Sequence, residues 1–404
     1  MMNNLLERAM GLNGYIEGLR NRMHQTPEIG MRLPKTQSLI MDELRDLGLS
    51  PRGCGDSGVT VLIEGARPGR TLLLRADMDA LPVAEETGLP FAAGNGCMHA
   101  CGHDCHVAML LGAARLLMER RDEMRGNVKL LFQPGEEIME GAAEMLRCGV
   151  LENPHVEAAM MLHIISGLDA PSGSCAVFGA GSCYASVDWF RIDIQGVGGH
   201  GAMPHRTVNP LGIASDIYRF IHGLVAEGID PEDCAVLTVG ELHGGHVANV
   251  IPDVATMAGT LRTFDAGVRA RMKERLASGA DLLAKAQGGS VTVTFGPSAP
   301  CVHSDAAMRA GAMDSIRGLL GEEKALDLDT AFGGAFKRVT SSEDFAYIAE
   351  KVPAAVLWLM AGTPAEGYVW PGHHPKTDFS PDVFYVGSAV LAQSALDWLR
   401  QNPA

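Results

Sequence analysis

The sequence predicts an α/β protein: a mixed, largely parallel sheet with helices between its strands, interrupted by an α+β insert of ferredoxin-like βαββαβ order. Three observations predict it. Short runs rich in Val, Leu and Ile alternate with helix-period segments toward both ends of the chain. The middle of the chain alternates apolar and polar residues instead, as half-buried strands do. The length of 404 residues exceeds what one hydrophobic core usually supports.

The first segment, Met1–Met23, reads as an amphipathic helix. It lacks the basic start, apolar middle and small-residue cleavage site of a secretion signal. A second helix is expected over Lys35–Leu47. Buried strands Val59–Glu64 and Thr71–Arg75 follow, then a helix over His106–Arg120 and a strand over Val128–Gln133. A helix over Glu140–Cys148 and a strand over Ala158–Leu162 complete this part.

In the middle, Val187–Gln195 sets Phe190, Ile192 and Ile194 on one face and Arg191 and Asp193 on the other. A helix over Asn209–Ala226, strands Ala235–Leu242 and Ala255–Thr263, a helix over Val268–Ala286 and a strand over Ser290–Phe295 follow. The order is βαββαβ. Gly-, Ser- and Pro-containing stretches bracket it, Gly179–Ala185 and Gly296–Pro300. The expected division is 1–183 and 298–404 for the larger domain and 184–297 for the insert. The buried strand Ala355–Met360 returns to the first pattern.

Composition narrows the class. With 47% hydrophobic and 20% charged residues the chain is globular. A net charge of -15 argues against nucleic-acid or anionic-membrane partners, which want a basic face. No apolar run approaches the ~18 residues of a membrane span. Nine scattered cysteines do not read as a disulfide framework, and they point to a reducing cytoplasm.

The densest polar cluster is His99-Ala-Cys-Gly-His-Asp-Cys-His106. Cys101, His103, Cys105 and His106 are all metal-capable. Taken alone, it fits a catalytic metal site, a structural zinc knuckle or a redox cysteine cluster. The run Phe132-Gln-Pro-Gly-Glu-Glu137 tips the balance. It places two carboxylates at the C-terminal end of an apolar strand, where open α/β sheets bind ligands. One of two adjacent glutamates can ligate while the other moves a proton between an attacking water and a leaving amine. Arg75-Ala-Asp-Met-Asp79 ends another strand, and either Asp can orient a ligating His. His163 and the pair in Gly372-His-His-Pro375 add imidazoles. Gly196-Val-Gly-Gly-His-Gly201 matches G-x-G-x-x-G, but Pro204 and Pro210 follow where a dinucleotide site needs a helix.

In order along the chain, these motifs resemble the bacterial aminoacylase, hippurate hydrolase and plant auxin-conjugate hydrolase branch of the dinuclear metallopeptidases related to glutamate carboxypeptidase. The resemblance runs through HQTPE (His24–Glu28), RADMDALP (Arg75–Pro82), MHACGHDCH (Met98–His106) and FQPGEE (Phe132–Glu137). It continues through GGHGAMPH (Gly198–His205), NVIPD (Asn249–Asp253), GTLRT (Gly259–Thr263), SEDFA (Ser342–Ala346) and HHPKTDF (His373–Phe379). It implies a metallopeptidase-type catalytic domain and hydrolysis of the amide bond of small N-acyl amino acids. It also implies two divalent metal ions, zinc first, with manganese, cobalt and nickel as alternatives.

By the same resemblance Cys101, His103, Glu137, His163 and His373 are metal ligands, and Glu136 is the general base and then acid. Asp79 buttresses the site, with Glu343 and Asp344 behind it. His200 polarises the scissile carbonyl, often from the partner subunit of a homodimer. Asn249 and Arg262 hold the substrate carboxylate. A dipeptidase, a carboxypeptidase and a hydrolase of xenobiotic amides belong to the same clan, and an inactive metal-binding scaffold is the non-enzyme alternative. The chain departs from the pattern at Cys105, usually Gly, at His246, commonly Thr, and at Cys183 and Tyr184. A third thiol near the site is the expectation that Cys105 raises.

Overall fold

The computed structural model describes residues 3–230 and 232–403. The strands along the chain are β1 (Arg52–Cys54), β2 (Gly58–Glu64), β3 (Arg67–Asp77), β4 (Arg125–Gln133), β5 (Ala158–Ile165) and β6 (Cys175–Val177). Then come β7 (Ser186–Gln195), β8 (Ala235–Gly244), β9 (Val254–Thr263), β10 (Ser290–Ala299), β11 (Ala325–Asp327) and β12 (Ala354–Met360). The main helices are α1 (Asn3–Met10), α2 (Asn13–His24), α3 (Pro34–Asp46), α4 (His103–Glu119) and α5 (Gly141–Arg147). They continue with α6 (Pro210–Gly228), α7 (Ala266–Ala286), α8 (Ala306–Leu320) and α9 (Phe384–Gln401).

The chain divides into two compact units. One is Met1–Gly181 with His303–Lys337 and Asp344–Ala404; the other is Ser182–Val302 with Arg338–Glu343.

The first unit holds an eight-stranded sheet in the order β1-β2-β4-β3-β5-β12-β6-β11. Its centre, β4-β3-β5-β12, is parallel. β2 joins β4 and β6 joins β12 antiparallel, so the sheet is mixed. One face packs on α4 and α9 in a single core with α1, α2 and α8. α4 is apolar nearly all round, as a helix buried on every side must be.

Side-chain alternation then decides what the other face carries. On β5, Ala158, Met160, Leu162 and Ile164 enter the helical core, which turns Met161 and His163 to the opposite face. On β3, Leu72, Leu74 and Ala76 enter it, which turns Arg75 and Asp77 the same way as His163.

The second unit is a four-stranded antiparallel sheet in the order β8-β9-β7-β10. With α6 and α7 it is the ferredoxin-like arrangement. Phe190, Ile192 and Ile194 of β7 enter its core while Arg191 is exposed. Asn209 caps α6 by accepting from the Leu211 N–H, and Pro210 sits in its first turn. Asp265 caps α7 through the Val268 N–H.

Three expectations are revised. The N-terminal segment forms two helices rather than one, broken between α1 and α2 by Gly11 and Asn13, both poor helix formers; Met1 and Met2 lie outside the described residues. α8, α9 and the short strands β1, β6 and β11 are elements beyond those expected. Cys105 is fully buried in the helical core rather than beside the polar cluster. All nine cysteines are free thiols. Among the described residues no helix is long and apolar enough to cross a membrane.

Candidate metal centre

The site of the first unit lies at the C-terminal ends of the parallel strands. Asp77 ends β3, Gln133 ends β4 and His163 is near the end of β5. Cys101 and His103 arrive on the loop that opens α4. Between them Gly102 adopts a left-handed conformation (φ 85), and a Cβ there would come within 2.5 Å of Ile164. Only glycine lets the thiol and the imidazole approach from that side. His373 sits on a loop with positive φ (69), its N–H bonded to the Ala100 carbonyl at 2.8 Å.

Five side chains expected as ligands converge. The donor atoms of Cys101, His103 and His163 lie within 4.8 Å of one another, as do those of Cys101, Glu137 and His373. The Cys101 Sγ is 3.4 Å from His163 Nε2. Glu137 Oε1 lies 3.5 Å from His373 Nε2 and 3.9 Å from His103 Nε2. Glu136 belongs to the same cluster with His103 and Glu137.

Hydrogen bonds fix which nitrogen each histidine offers. His103 Nδ1–H donates to the Asp79 carbonyl at 2.9 Å, and His163 Nδ1–H donates to the Ile164 carbonyl at 2.7 Å. Both therefore turn Nε2 inward. His106 does not. Its Nδ1 bonds Asp77 at 2.5 Å, and its Nε2 accepts the Ile164 N–H at 2.8 Å, so both nitrogens are engaged. Asp79 accepts the amide N–H groups of Glu136 and Glu137, each at 3.1 Å.

The residues fit a divalent cation. Among the described residues the buried His103 Nε2 and Glu137 Oε1 have no hydrogen-bond partner. Uncompensated polar atoms in a buried site are costly unless an ion satisfies them. A thiol, three imidazoles and a carboxylate make a donor set suited to zinc and its borderline neighbours.

Electrostatics agree. Burial pushes the Glu137 carboxyl up to about 7. Burial opposes charge on His103 as well, but Asp77 overrides it and holds this imidazole well above its ordinary value. Burial, then His106, keeps His163 well below its own, the neutral form a metal needs. Burial, then Glu137, raises the Cys101 thiol. Asp77 raises His103, and Asp79 and Asp77 add to the rise of Glu137, so the carboxylates of the site favour added positive charge.

The second unit carries His200, Asn249 and Arg262, and Glu343 at the end of its second segment. A two-stranded ribbon pairs Gly199–His200 with Val250–Ile251, and the Gly201 N–H bonds the Asn249 carbonyl at 2.8 Å. His200 and Asn249 are thus neighbours, both exposed. His200 Nδ1 accepts the Ala202 N–H at 3.1 Å, which leaves its Nε2–H to donate outward. Arg262 on β9 donates to the Thr340 carbonyl at 2.9 Å and Ser342 Oγ at 3.1 Å. Burial lowers its pKa. The glycine-rich Gly196–Gly201 run opens this ribbon, not a helix.

The sequence pattern of Peptidase family M20/M25/M40 matches residues 73–397. This chain belongs to that family. Among its M20 relatives, the N-acetyl-L-cysteine deacetylase of Bacillus subtilis is 34% identical over 95% of this chain and 88% of its own length. Thermostable carboxypeptidase 1 of Saccharolobus solfataricus is 34% identical over 95% of both chains. The crystal structure of the B. subtilis YXEP protein, a dinuclear metal binding peptidase from the M20 family, superposes with a TM-score of 0.79 at 30% identity, covering 96% of this chain and 99% of that one.

One part of this M20 site was not legible beforehand. Arg75 is buried and donates to Gln133 Oε1, Asp77 Oδ2 and Asp344 Oδ1 at 3.0, 2.7 and 3.0 Å. Gln133 and the Ala142 N–H also bond Asp344. This lattice underpins the strand ends that carry Asp77 and Glu136. An arginine inside the apolar run Leu72–Asp77 is its trace in the sequence.

Proposed function

We propose that this chain is a dinuclear metal-dependent amidohydrolase that cleaves small N-acyl amino acids to a carboxylate and a free amino acid. The observation that carries the reading is the pair of buried, unpartnered atoms, His103 Nε2 and Glu137 Oε1, facing each other across a cluster completed by Cys101, His163 and His373 and flanked by Glu136. The names of the M20 relatives support the reaction class.

In this reading Cys101, His103, Glu137, His163 and His373 hold two divalent ions, zinc in first place and manganese, cobalt or nickel as alternatives. Bound there, the ions supply Lewis-acid polarisation of the amide carbonyl and acidify the attacking water. Glu136 accepts the proton of that water as it attacks the carbonyl carbon, then delivers the proton to the departing nitrogen. Asp79 holds Glu136 and Glu137 in place through their amide N–H groups. His200 donates from Nε2 to the developing oxyanion. Arg262 and Asn249 take the carboxylate of the amino-acid half; Arg262 has donors left for a planar, two-point contact.

The division into a catalytic part (1–183 and 298–404) and an insert (184–297), a homodimer built through that insert, and a cytoplasmic location are part of the same proposal. Exposed Leu242, Val247, Val250 and Val254 on the insert support the homodimer.

The test is release of free amino acid from a panel of N-acyl amino acids and dipeptides, with and without chelator. Chelator-sensitive release that returns with zinc or manganese is expected. Carboxypeptidase-type release from dipeptides alone would move the assignment within the family. No release from metal-loaded protein would sink it.

A further inference from the structure

On the face of the sheet that carries His163, an aromatic stack stands one strand away. β12 runs parallel to β5, and Trp358 is in register with His163. Ala355, Leu357 and Leu359 enter the helical core, so Trp358 points to the same side as His163. Neighbouring strands are about 4.8 Å apart, which roots the indole directly beside the metal cluster. On its other flank the residue in register is Ala176, whose small side chain leaves room for a ring.

The stack extends outward by edge-to-face contacts. The Phe178 and Trp358 centroids are 4.9 Å apart, Phe336 and Trp358 5.6 Å, and Phe332 and Phe336 5.3 Å. Trp358 is only 5% exposed, whereas Phe332 and Phe336 are half-buried. Phe178 is fully buried as well, so the stack runs from a buried inner pair to a half-buried outer pair. The outer two ride on a loop in which Phe332 itself adopts a left-handed conformation (φ 55), followed by Gly333 and Gly334 at φ 66 and 78. A bulky residue is rare in that region and carries strain.

We propose that Phe336 and Phe332, backed by Trp358, form a specificity wall that takes an aromatic ring carried by the substrate. The inference rests on the amidohydrolase reading above. Edge-to-face packing on a preformed aromatic surface favours a flat ring over a methyl group. The ring arrives either on the acyl group or on the amino acid, and the two sources are separable.

The experiment compares kcat/KM for N-benzoyl-alanine, N-acetyl-phenylalanine and N-acetyl-alanine in the wild-type enzyme and in Phe336→Leu and Phe332→Ala. Both positions are half-exposed, so folding survives where Trp358→Ala is at risk. One aromatic compound should exceed N-acetyl-alanine by about tenfold or more. That ratio should fall below about threefold in Phe336→Leu and recover in Phe336→Tyr. Which compound wins identifies the side of the amide that the wall reads. No aromatic preference, or a preference unchanged in both variants, overturns the proposal. Calorimetric binding of the same compounds to Glu136→Gln protein reads the wall without turnover. If nothing is hydrolysed yet aromatic compounds bind more tightly and Phe336→Leu abolishes the difference, the wall stands and the hydrolase reading falls. Equal binding of all three overturns the wall.

Discussion

Asp79 is the residue whose replacement tests the architecture of the site most directly. It is 1% exposed, and each carboxylate oxygen accepts one amide N–H at 3.1 Å, from Glu136 and from Glu137. Its main-chain carbonyl separately accepts from His103. Asp79→Asn keeps the shape, the backbone contact and one acceptor. The other oxygen becomes an NH2 that faces an amide N–H, so a charge-assisted bond of about 1.5–3 kcal/mol is replaced by two donors in opposition. A loss near 3 kcal/mol follows for the metal-free protein, read as a lower urea midpoint at unchanged slope. Because the two glutamates are a proposed base and a proposed ligand, metal affinity or turnover should fall ten- to a hundredfold, roughly the effect of removing an outer-shell partner. Calorimetric zinc titration and amino-acid release would be run on the same preparation. If Asp79→Asn matched the wild type within about twofold in both, Asp79 would not position the pair.

Other outcomes are as specific. Glu136→Gln should retain its full metal content by elemental analysis while kcat drops by about 10²–10⁴; surviving turnover would remove Glu136 from the proton path. Arg262→Lys should raise KM about tenfold for substrates with a free carboxylate and spare their carboxamide analogues, because a lysine cannot make the planar two-point contact. A uniform effect on both would assign Arg262 to holding Thr340 and Ser342 instead. His24 is buried with Asp104 at 2.7 Å and Glu85 at 3.1 Å. Burial works against its charge, but Asp104 outweighs it and raises the imidazole from 6.5 to about 9. The folded pKa is the higher one, so its contribution is complete below pH 6.5 and is lost as pH rises through about 9. It amounts to about 3 kcal/mol. Urea midpoints at pH 6 and pH 9.5 should therefore converge in His24→Gln relative to wild type. Parallel shifts in both proteins would contradict the linkage.

The sequence alone determined the strands and helices with strong periodicity, because a buried strand or an amphipathic helix writes its burial pattern into consecutive residues. The alternation of Phe190, Ile192 and Ile194 with Arg191 needed no coordinates. It also presented Cys101, His103, Cys105, His106, Glu136, Glu137, His163, His373 and His374 as chemistry-bearing candidates, and the family resemblance implied Cys101, His103, Glu137, His163 and His373 as the ligands. α9 was not legible, because a helix buried on most sides carries little periodic contrast.

Only the tertiary structure decided which metal-capable residues converge. Cys105 and His106 are as capable as Cys101 and His103 by residue type. The helix beginning at His103 turns Cys105 into the core, and Asp77 and the Ile164 N–H occupy both nitrogens of His106. Spacing of two or three residues on a helix cannot show which side faces the sheet until the sheet is present. The same holds for Arg75, whose partners Gln133 and Asp344 are 58 and 269 residues away along the chain. Long-range pairing of buried charge is set by the strand order β4-β3-β5-β12, and strand order is a property of the packed sheet rather than of any local run.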